Sequence, residues 1–488
     1  SPMYLGLDFG TSSVKGVLID DRQKIVGTAS SPLKVSRPHD GWSEQKPEDW
    51  WKAAHAVVKT LGKLKPKAIA AVDGIGLSGQ QHGATLLDKA GHVLRPCILW
   101  NDARSFEECK DILAREPRAL AISGNIPLAG FTAPKLVWVK KHEPRVFDAV
   151  DKVLLPKDYI RYRMTGEFAS DMSDSSGTYW LDVAKRQWSD ELLRASDMRR
   201  DQMPRLFEGT DATGRLTAAV AKAWGMPKRP VVAGGGGDNA ASACGIGAVT
   251  DGAAFASIGT SGVIFVSNNK FSPNVARTVH AFCHAVPDTW HQMGVILSAT
   301  ASLEWLAGVL GEPAPLLTKA LGTKLSRPSS ALFLPYLSGE RTPVGDSQVR
   351  GLMMGLGHET DRKTMTHAVL DGVAFAFRDS LVALQDVGTS VKRVMAVGGG
   401  TKSELWLRII ATALGVPVDL PAAGDVGGAF GAARLGLMAA TGASYRSVCT
   451  PPKIARTIQP EAKARAAYED AYGRYQKIYP AIKEINRS

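Results

Sequence analysis

The chain has 488 residues, 44% of them apolar, enough for a large core and more than one ordinary core holds, so two domains are expected. Its net charge of +12 is scattered in short doublets such as Lys140-Lys141 and Arg199-Arg200 rather than gathered in a stripe, which argues against a nucleic-acid partner. The five cysteines, without a Cys-x-x-Cys pair, exclude a disulfide framework, and no apolar run is long enough to cross a membrane.

Ser1-Pro2 ahead of Met3 reads as an expression scar, and no charged-then-apolar leader follows, so a soluble cytoplasmic chain is expected. Residues 4–8 form an apolar run ending on Asp8, break at Gly10-Thr11-Ser12 and resume over 14–20, the pattern of strand, tight turn and strand. Residues 75–77 run into Ser78-Gly79-Gln80-Gln81-His82-Gly83, and 97–100 end at Asn101-Asp102. Residues 231–233 enter Gly234-Gly235-Gly236-Gly237-Asp238-Asn239, followed by a small-residue segment over 240–247 that can be helical. The hairpin design returns half a chain later, where 253–258 lead through Gly259-Thr260-Ser261-Gly262 into 263–266. Repetition at that spacing suggests duplicated domains, with the boundary in the glycine-rich stretch 245–252, giving halves of 1–247 and 248–488. His280, Cys283 and His284 fit no common zinc spacing and read as structural. Residues 394–397 enter Gly398-Gly399-Gly400 before a helix over 403–414, the glycines of 424–436 permit close helix packing, and the last thirty residues read as an amphipathic helix. Strands alternating with helices make this an α/β fold with polar residues gathered at strand ends.

A glycine turn can aim successive backbone N–H groups at phosphate oxygens, and Thr or Ser adds a hydroxyl donor. One Gly-Thr-Ser could be an ordinary turn. Two copies, the first preceded by Asp8, point to nucleotide phosphates, with Asp8 placed to hold Mg²⁺ through water. No Gly-x4-Gly-Lys-Ser/Thr string occurs, and the glycines at 245 and 247 lack a third, so neither a P-loop nor a dinucleotide fold is indicated. The four glycines before Asp238 let a backbone approach a ligand closely. Asp238 itself would begin a helix, either as its cap or as a functional carboxylate whose ionised form the helix dipole favours. Asn101, Asp102 and Arg104, a mixture of donors and acceptors, suit a hydroxyl-bearing ligand or a surface turn, and Lys157, Asp158 and Asp171 suit a site or loop and helix caps.

From residue 4 to about 436 the chain resembles the FGGY carbohydrate kinases. Residues 130–142 (GFTAPKLVWVKKH) fit the family's first signature; 351–372 (GLMMGLGHETDRKTMTHAVLDG) fit the second except at Thr364, where an acid, amide or His is usual. Segments 36–39 (SRPH), 42–45 (WSEQ), 155–158 (LPKD), 168–173 (FASDMS) and 337–343 (LSGERTP) are similar to those of members directed at xylulose. The resemblance implies an actin-like ATPase (ribonuclease H-like) fold, with two duplicated α/β domains around a central cleft. It implies ATP as phosphoryl donor, Mg²⁺, a sugar acceptor, namely D-xylulose attacked through O5, and a homodimer. Residue by residue, Asp238 would be the base and Asn239 a holder of the neighbouring hydroxyl; Asp8 would stand near Mg²⁺ and His82 would bind sugar. Gln81 replaces a usual Met beside His82. Thr11, Ser12, Gly259, Thr260, Gly399, Gly400 and Ser403 would hold the nucleotide. Kinases of ribulose, glycerol or gluconate share the ATP parts, and filament and chaperone ATPases share the scaffold without phosphorylating a metabolite.

Overall fold

A computed structural model of the chain describes residues 1–422 and 427–487. Strands β1 (Met3–Phe9) and β2 (Ser13–Asp20) form an antiparallel hairpin that β3 (Ile25–Pro32) extends. Helix α1 (Pro47–Leu64) begins on proline, carries Glu48 and Asp49 in its first turn and Lys63 in its last, and so complements its own dipole. Its buried face, Trp50, Ala54, Val57, Val58 and Leu61, covers one side of this sheet. Strand β4 (Val72–Gly79) runs parallel to β1 with Leu7 opposite Leu77. After helix α2 (Pro156–Thr165) come β5 (Ala212–Arg215) and β6 (Val231–Ala233). The order is β5-β6-β4-β1-β2-β3, with Gly236–Gly237 adding a short seventh strand to β4.

Helix α3 (Asp238–Ile246) ends on Gly247 in the left-handed conformation, φ 80°. The second sheet then builds from β7 (Ala254–Ile258), β8 (Gly262–Asn268), β9 (His280–Cys283) and β10 (Trp290–Ile296). Helix α4 (Arg362–Gln385), β11 (Val394–Val397), α5 (Glu404–Leu414), β12 (Val418–Pro421), α6 (Gly428–Thr441), β13 (Ile454–Ile458) and α7 (Arg465–Gln476) complete it. Its order, β9-β10-β8-β7-β11-β12-β13, has the same core as the first sheet: an antiparallel hairpin flanked by a parallel strand. The repeated hairpins are thus equivalent members of two sheets. Substitution of Thr at 364, in the second signature, falls in the first turn of α4, where Asp361 accepts from its amide.

The glycine-rich segment read over 424–436 crosses between the halves; residues 424–426 lie outside the described residues. Helix α6 packs on the first sheet, with Gly6, Gly74 and Gly76 beneath it. A Cβ at Gly76 would stand 1.7 Å from the Ala432 carbonyl oxygen, so only glycine permits this approach. α6 meets α3 equally closely, through Gly431 against Ala241. At the other seam, the edge strand β9 is capped by the first half. The Asn125 side chain donates to the Ala281 carbonyl and accepts from its amide, and Ser176 Oγ accepts from the Cys283 amide.

The C-terminal helix is split rather than continuous, into Arg465–Gln476 and Ile478–Ile482. Pro480 explains the break, since its ring clashes with the carbonyl four residues back, at Gln476. The basic doublets are neutralised locally: Lys140 and Lys141 pair with Asp197, Glu108 and Asp111, and Arg199 and Arg200 with Asp201 and Asp190. All five cysteines are buried and free.

Candidate active site

The loops at the ends of β1, β4 and β6 converge because the three strands run parallel and end at one edge. Asp8, the second-last residue of β1, accepts from Ser78 Oγ at 3.0 Å. The start of α6 approaches it: a Cβ at Gly428 would lie 3.3 Å from the Asp8 carboxyl. Beyond Asp8 the turn closes through the Gly10 amide on the Ser13 carbonyl, and Thr11 Oγ1 accepts from the Trp100 indole at 2.9 Å.

Asp238 is the first residue of α3; the cap is Gly237, so Asp238 does not serve as the helix cap. Its oxygen accepts only locally, from the Asn239 amide at 2.9 Å. The side chain is open to the cleft, yet it lies deep in a crevice with protein on every side. Both statements hold, because a crevice that water enters still solvates charge poorly. Burial and then the negative charge of Asp8 push its carboxyl up to about 7. The sequence-based expectation that the helix dipole would favour the ionised form is therefore reversed here: desolvation and a facing carboxylate outweigh the dipole.

His82 sits in the left-handed region, φ 72°, a conformation unusual outside glycine. Its Nδ1 lies 2.7 Å from the Gly177 carbonyl oxygen, and burial pushes its pKa down to about 3. The ring is neutral, Nδ1 donates, and Nε2 is left as an acceptor. Its position is set by the first signature segment. Thr132 Oγ1 donates to the His82 carbonyl, and the Phe131 ring lies 4.6 Å from the imidazole. Lys135 holds the carbonyls of Ala129, Gly130 and Phe131, with burial pushing its pKa down to about 7. Gln81 is buried against Gly237, where a Cβ would stand 2.9 Å from its Nε2. The sequence thus brings Gln81, His82, Asp238, Asn239 and Asp8 to one crevice.

Asn101 and Asp102 separate. The Asp102 carboxylate is buried and taken up by the Ser43 amide and by Arg104, 2.7 Å away, so it holds the loop rather than facing the cleft. Asn101 Oδ1 is buried with no hydrogen-bond partner. It is the member of the pair with capacity for a ligand.

Lys157, Asp158 and Asp171, read as either site residues or caps, form a buried network under the Gly234–Gly237 turn. Lys157 Nζ lies 2.7, 2.8 and 2.8 Å from Asp158, Asp171 and Asp174. Arg161 pairs with Asp158 and donates to the carbonyls of Ala233 and Gly234. Ser173 Oγ links Asp171 to the Gly237 amide, next to Asp238. Burial, and after it the neighbouring Asp158 and Asp171 charges, push the Asp174 carboxyl well up against the pull of Lys157. Asp171 also caps a short helix. Sequence reasoning found the acids but not this role, since Lys157 and Asp171 are brought together only by the tertiary fold.

In the second half, Gly259 and Thr260 lie in the turn between β7 and β8, whose carbonyls accept from Thr300 and Ala299. The Gly398-Gly399-Gly400 loop packs against the end of β7; a Cβ at Gly400 would meet Ile258 at 2.2 Å. The two predicted nucleotide segments are therefore neighbours. Ser403 Oγ is engaged as the cap of α5, accepting from the Trp406 amide. His284 Nε2 bonds the Ala248 carbonyl and His280 the Asn125 side chain, consistent with structural histidines.

A divalent cation fits this crevice in one way. Among the described residues no group of three or more His, Cys, Asp or Glu forms a metal cage. Asp8 and Asp238, however, repel one another across the crevice, a conflict a cation carried on nucleotide phosphates would relieve. A cavity of about 990 Å³, lined by Ile246, Ala253, Asn268, Arg393 and Asp419 among others, lies elsewhere and includes none of these residues.

The profile of the N-terminal domain of the FGGY family of carbohydrate kinases matches residues 3–245, and that of its C-terminal domain residues 254–440. The xylulose kinase of Escherichia coli K12 is 47% identical over 482 residues, 98% of this chain and 99% of that protein. A crystal structure described as a xyloylose kinase from Brucella ovis matches with TM-score 0.98 at 56% identity, covering 99% of this chain and 100% of that one. The xylulose kinase structure from Rhodospirillum rubrum matches with TM-score 0.91 at 30% identity, covering 99% of each chain.

Proposed function

The chain belongs to the FGGY family of carbohydrate kinases, with the actin-like ATPase fold, and we propose that it transfers the γ-phosphoryl group of ATP to O5 of D-xylulose. The observation that carries the choice of sugar is the near full-length similarity to xylulose kinases at up to 56% identity. Phosphoryl transfer has a loose transition state, so the protein mainly positions reactants and offsets charge.

In this reading Asp238 orients the O5 hydroxyl and takes its proton as the O–P bond forms. A base whose pKa is about 7 is half-ionised at neutral pH and still basic enough to receive that proton. Asn239 and Asn101 hold neighbouring hydroxyls, with Gln81 packed beside them, and His82 Nε2 accepts from another. The turns at Thr11-Ser12 and Gly259-Thr260 present amides and hydroxyls to the phosphates, and Gly399-Gly400 leaves room for the nucleoside. Asp8 would hold Mg²⁺ through water, and the ion would supply neutralisation of phosphate charge. The working halves are 1–247 for sugar and base and 248–488 for nucleotide, although α6 packs on the first sheet. A cytoplasmic homodimer completes the proposal, on the family likeness.

Assay of ADP release over a panel of ketopentoses and polyols is expected to give D-xylulose the highest kcat/KM, with D-ribulose and xylitol far weaker. A panel led by glycerol or ribulose would overturn the substrate and leave the kinase class intact; release independent of any sugar would favour the chaperone or filament alternative.

His82→Ala is expected to lower kcat/KM for the sugar by about 10–100-fold, the loss of one buried hydrogen bond at 1–3 kcal/mol. ATP affinity measured by calorimetry stays at the wild-type value. Because His82 remains neutral down to about pH 3, sugar affinity in the wild type is expected not to titrate near pH 6.5. A large loss of ATP affinity in the variant would refute the placement.

A further inference from the structure

Residues 337–343 (LSGERTP) have so far been given no role. The segment is fastened to the second sheet at two points. Glu340 Oε1 accepts from the amides of Leu297 and Arg341 at 2.8 and 2.9 Å. Thr342 donates its amide to the Val295 carbonyl, accepts from the Val295 amide at Oγ1, and donates that hydroxyl to the Thr278 carbonyl at 2.8 Å. Leu297 lies two residues before Ala299, which bonds the Thr260 carbonyl of the second turn. Thr278 lies two residues before His280, whose ring is 5.8 Å from Phe131, itself 4.6 Å from His82. Arg341 is therefore held between the second phosphate turn and the rings that wall the His82 pocket.

Its guanidinium makes no hydrogen bond and no close ion pair with the described residues. The neighbouring Glu340 does not neutralise it, because burial pushes that carboxyl up to about 8. Arg341 is half-buried; a cation partly withdrawn from bulk water and left without a bonded partner is costly, and such a group is retained where a ligand supplies the partner. Anchored beside Val295 and Thr278, Arg341 lies on the His280 and Phe131 side of the His82 pocket, and its charge is felt at both histidines.

The chemistry of the acceptor follows from the reading above, on which this inference rests. If O5 is the attacking atom, the pentulose cannot be closed into a ring through O5, and its C2 carbonyl is free. A 2-ketose then presents a C1 hydroxyl, which can donate, next to a carbonyl oxygen, which only accepts. His82 Nε2 is an acceptor and the guanidinium is a donor fork, so together they match this pair in polarity. A polyol presents a hydroxyl in place of the carbonyl, which also accepts but is the weaker acceptor and lies off the trigonal carbonyl plane, so the planar fork favours the ketose.

We propose that Arg341, contributed by the C-terminal half, donates to the carbonyl oxygen of the acceptor and selects 2-keto sugars over the corresponding polyols. The test compares kcat/KM for D-xylulose and xylitol in the wild type, Arg341→Met and Arg341→Lys, with ATP binding by calorimetry as the check of folding. Arg341→Met is expected to lower kcat/KM for xylulose by roughly 10²-fold, the effect of losing a charged hydrogen bond, and for xylitol by less than about threefold. Arg341→Lys, which keeps a donor but loses the fork, is expected to fall between. Equal losses on both sugars, or no loss on either, would overturn the proposal. A wild-type enzyme inactive on xylulose would instead defeat the substrate assignment; an active wild type with an unchanged ketose-to-polyol ratio in the variants defeats Arg341 alone. If Arg341→Met does not fold, the ratio in Arg341→Lys decides.

Discussion

Asp238→Asn is expected to lower kcat for sugar phosphorylation by roughly 10²–10⁴-fold while ATP and xylulose still bind. The amide fills the same space and can accept from the Asn239 amide, so local structure is kept. It cannot take the proton of the attacking hydroxyl. Single-turnover transfer beside separate titrations of each substrate isolates the effect, and a variant that binds both yet transfers within tenfold of wild type would show that Asp238 is not the base. The pH dependence adds a second reading. In the wild type kcat/KM is expected to rise with pH through about 7 and then level off, as Asp238 ionises. That limb is lost in the variant. Stability moves the other way. The folded-state pKa lies above the ordinary value of 3.8, so the folded protein binds this proton more tightly than the unfolded chain. The stabilising contribution is full below about pH 4 and is lost as pH rises toward 7. Asp238→Asn removes that loss, so the ligand-free variant is expected to melt above wild type at pH 8 and to converge with it near pH 4. An activity-linked carboxylate that destabilises the empty enzyme is a familiar compromise.

Lys157→Met is expected to cost about 3–5 kcal/mol, the penalty for leaving buried anions without their cation. Asp158 keeps Arg161, but Asp171 loses its ion-pair partner in a setting with no access to solvent. Because the network holds the Gly234–Gly237 turn, the damage is expected to reach Asp238 as well, lowering kcat in any protein that folds. Adding Asp171→Asn should recover part of the stability, since one buried carboxylate fewer is left without its cation and asparagine still caps the short helix after it. Denaturation midpoints of the single and double variants test this; a single variant within about 1 kcal/mol of wild type would refute the dependence of these buried carboxylates on Lys157.

What the sequence made legible was local. Gly10-Thr11-Ser12 and Gly259-Thr260-Ser261 declare turns by residue type alone, and the apolar runs before them declare strands, so the duplicated hairpins and the α/β class follow without tertiary information. Asp238 was visible because four glycines before a helix exceed any capping need. Less visible was anything fixed by partners distant in the chain. Asp102 has the look of a sugar ligand until Ser43 and Arg104 occupy it. Ser403 stands beside a nucleotide loop, but its hydroxyl caps a helix. The dipole argument for Asp238 failed because neither its depth in the crevice nor the nearness of Asp8 can be read from spacing. Arg341 lay in plain view within a motif, and only the tertiary anchors of its segment at Val295 and Thr278 show which side of the pocket it lies on.

Helix α6 has a consequence for how the protein is made. The face of the first sheet that carries Gly6, Gly74 and Gly76 is built from residues synthesised long before its cover, Ala429, Ala432 and Gly436. That cover is synthesised roughly 180 residues after the first half ends, about 10–40 s later at 5–20 residues per second. During this interval the nascent first half holds an uncovered apolar groove bordered by glycine, open to any chaperone or to a neighbouring chain. Its completion is a late event of synthesis, so the two halves become native together and not in the order in which they are translated.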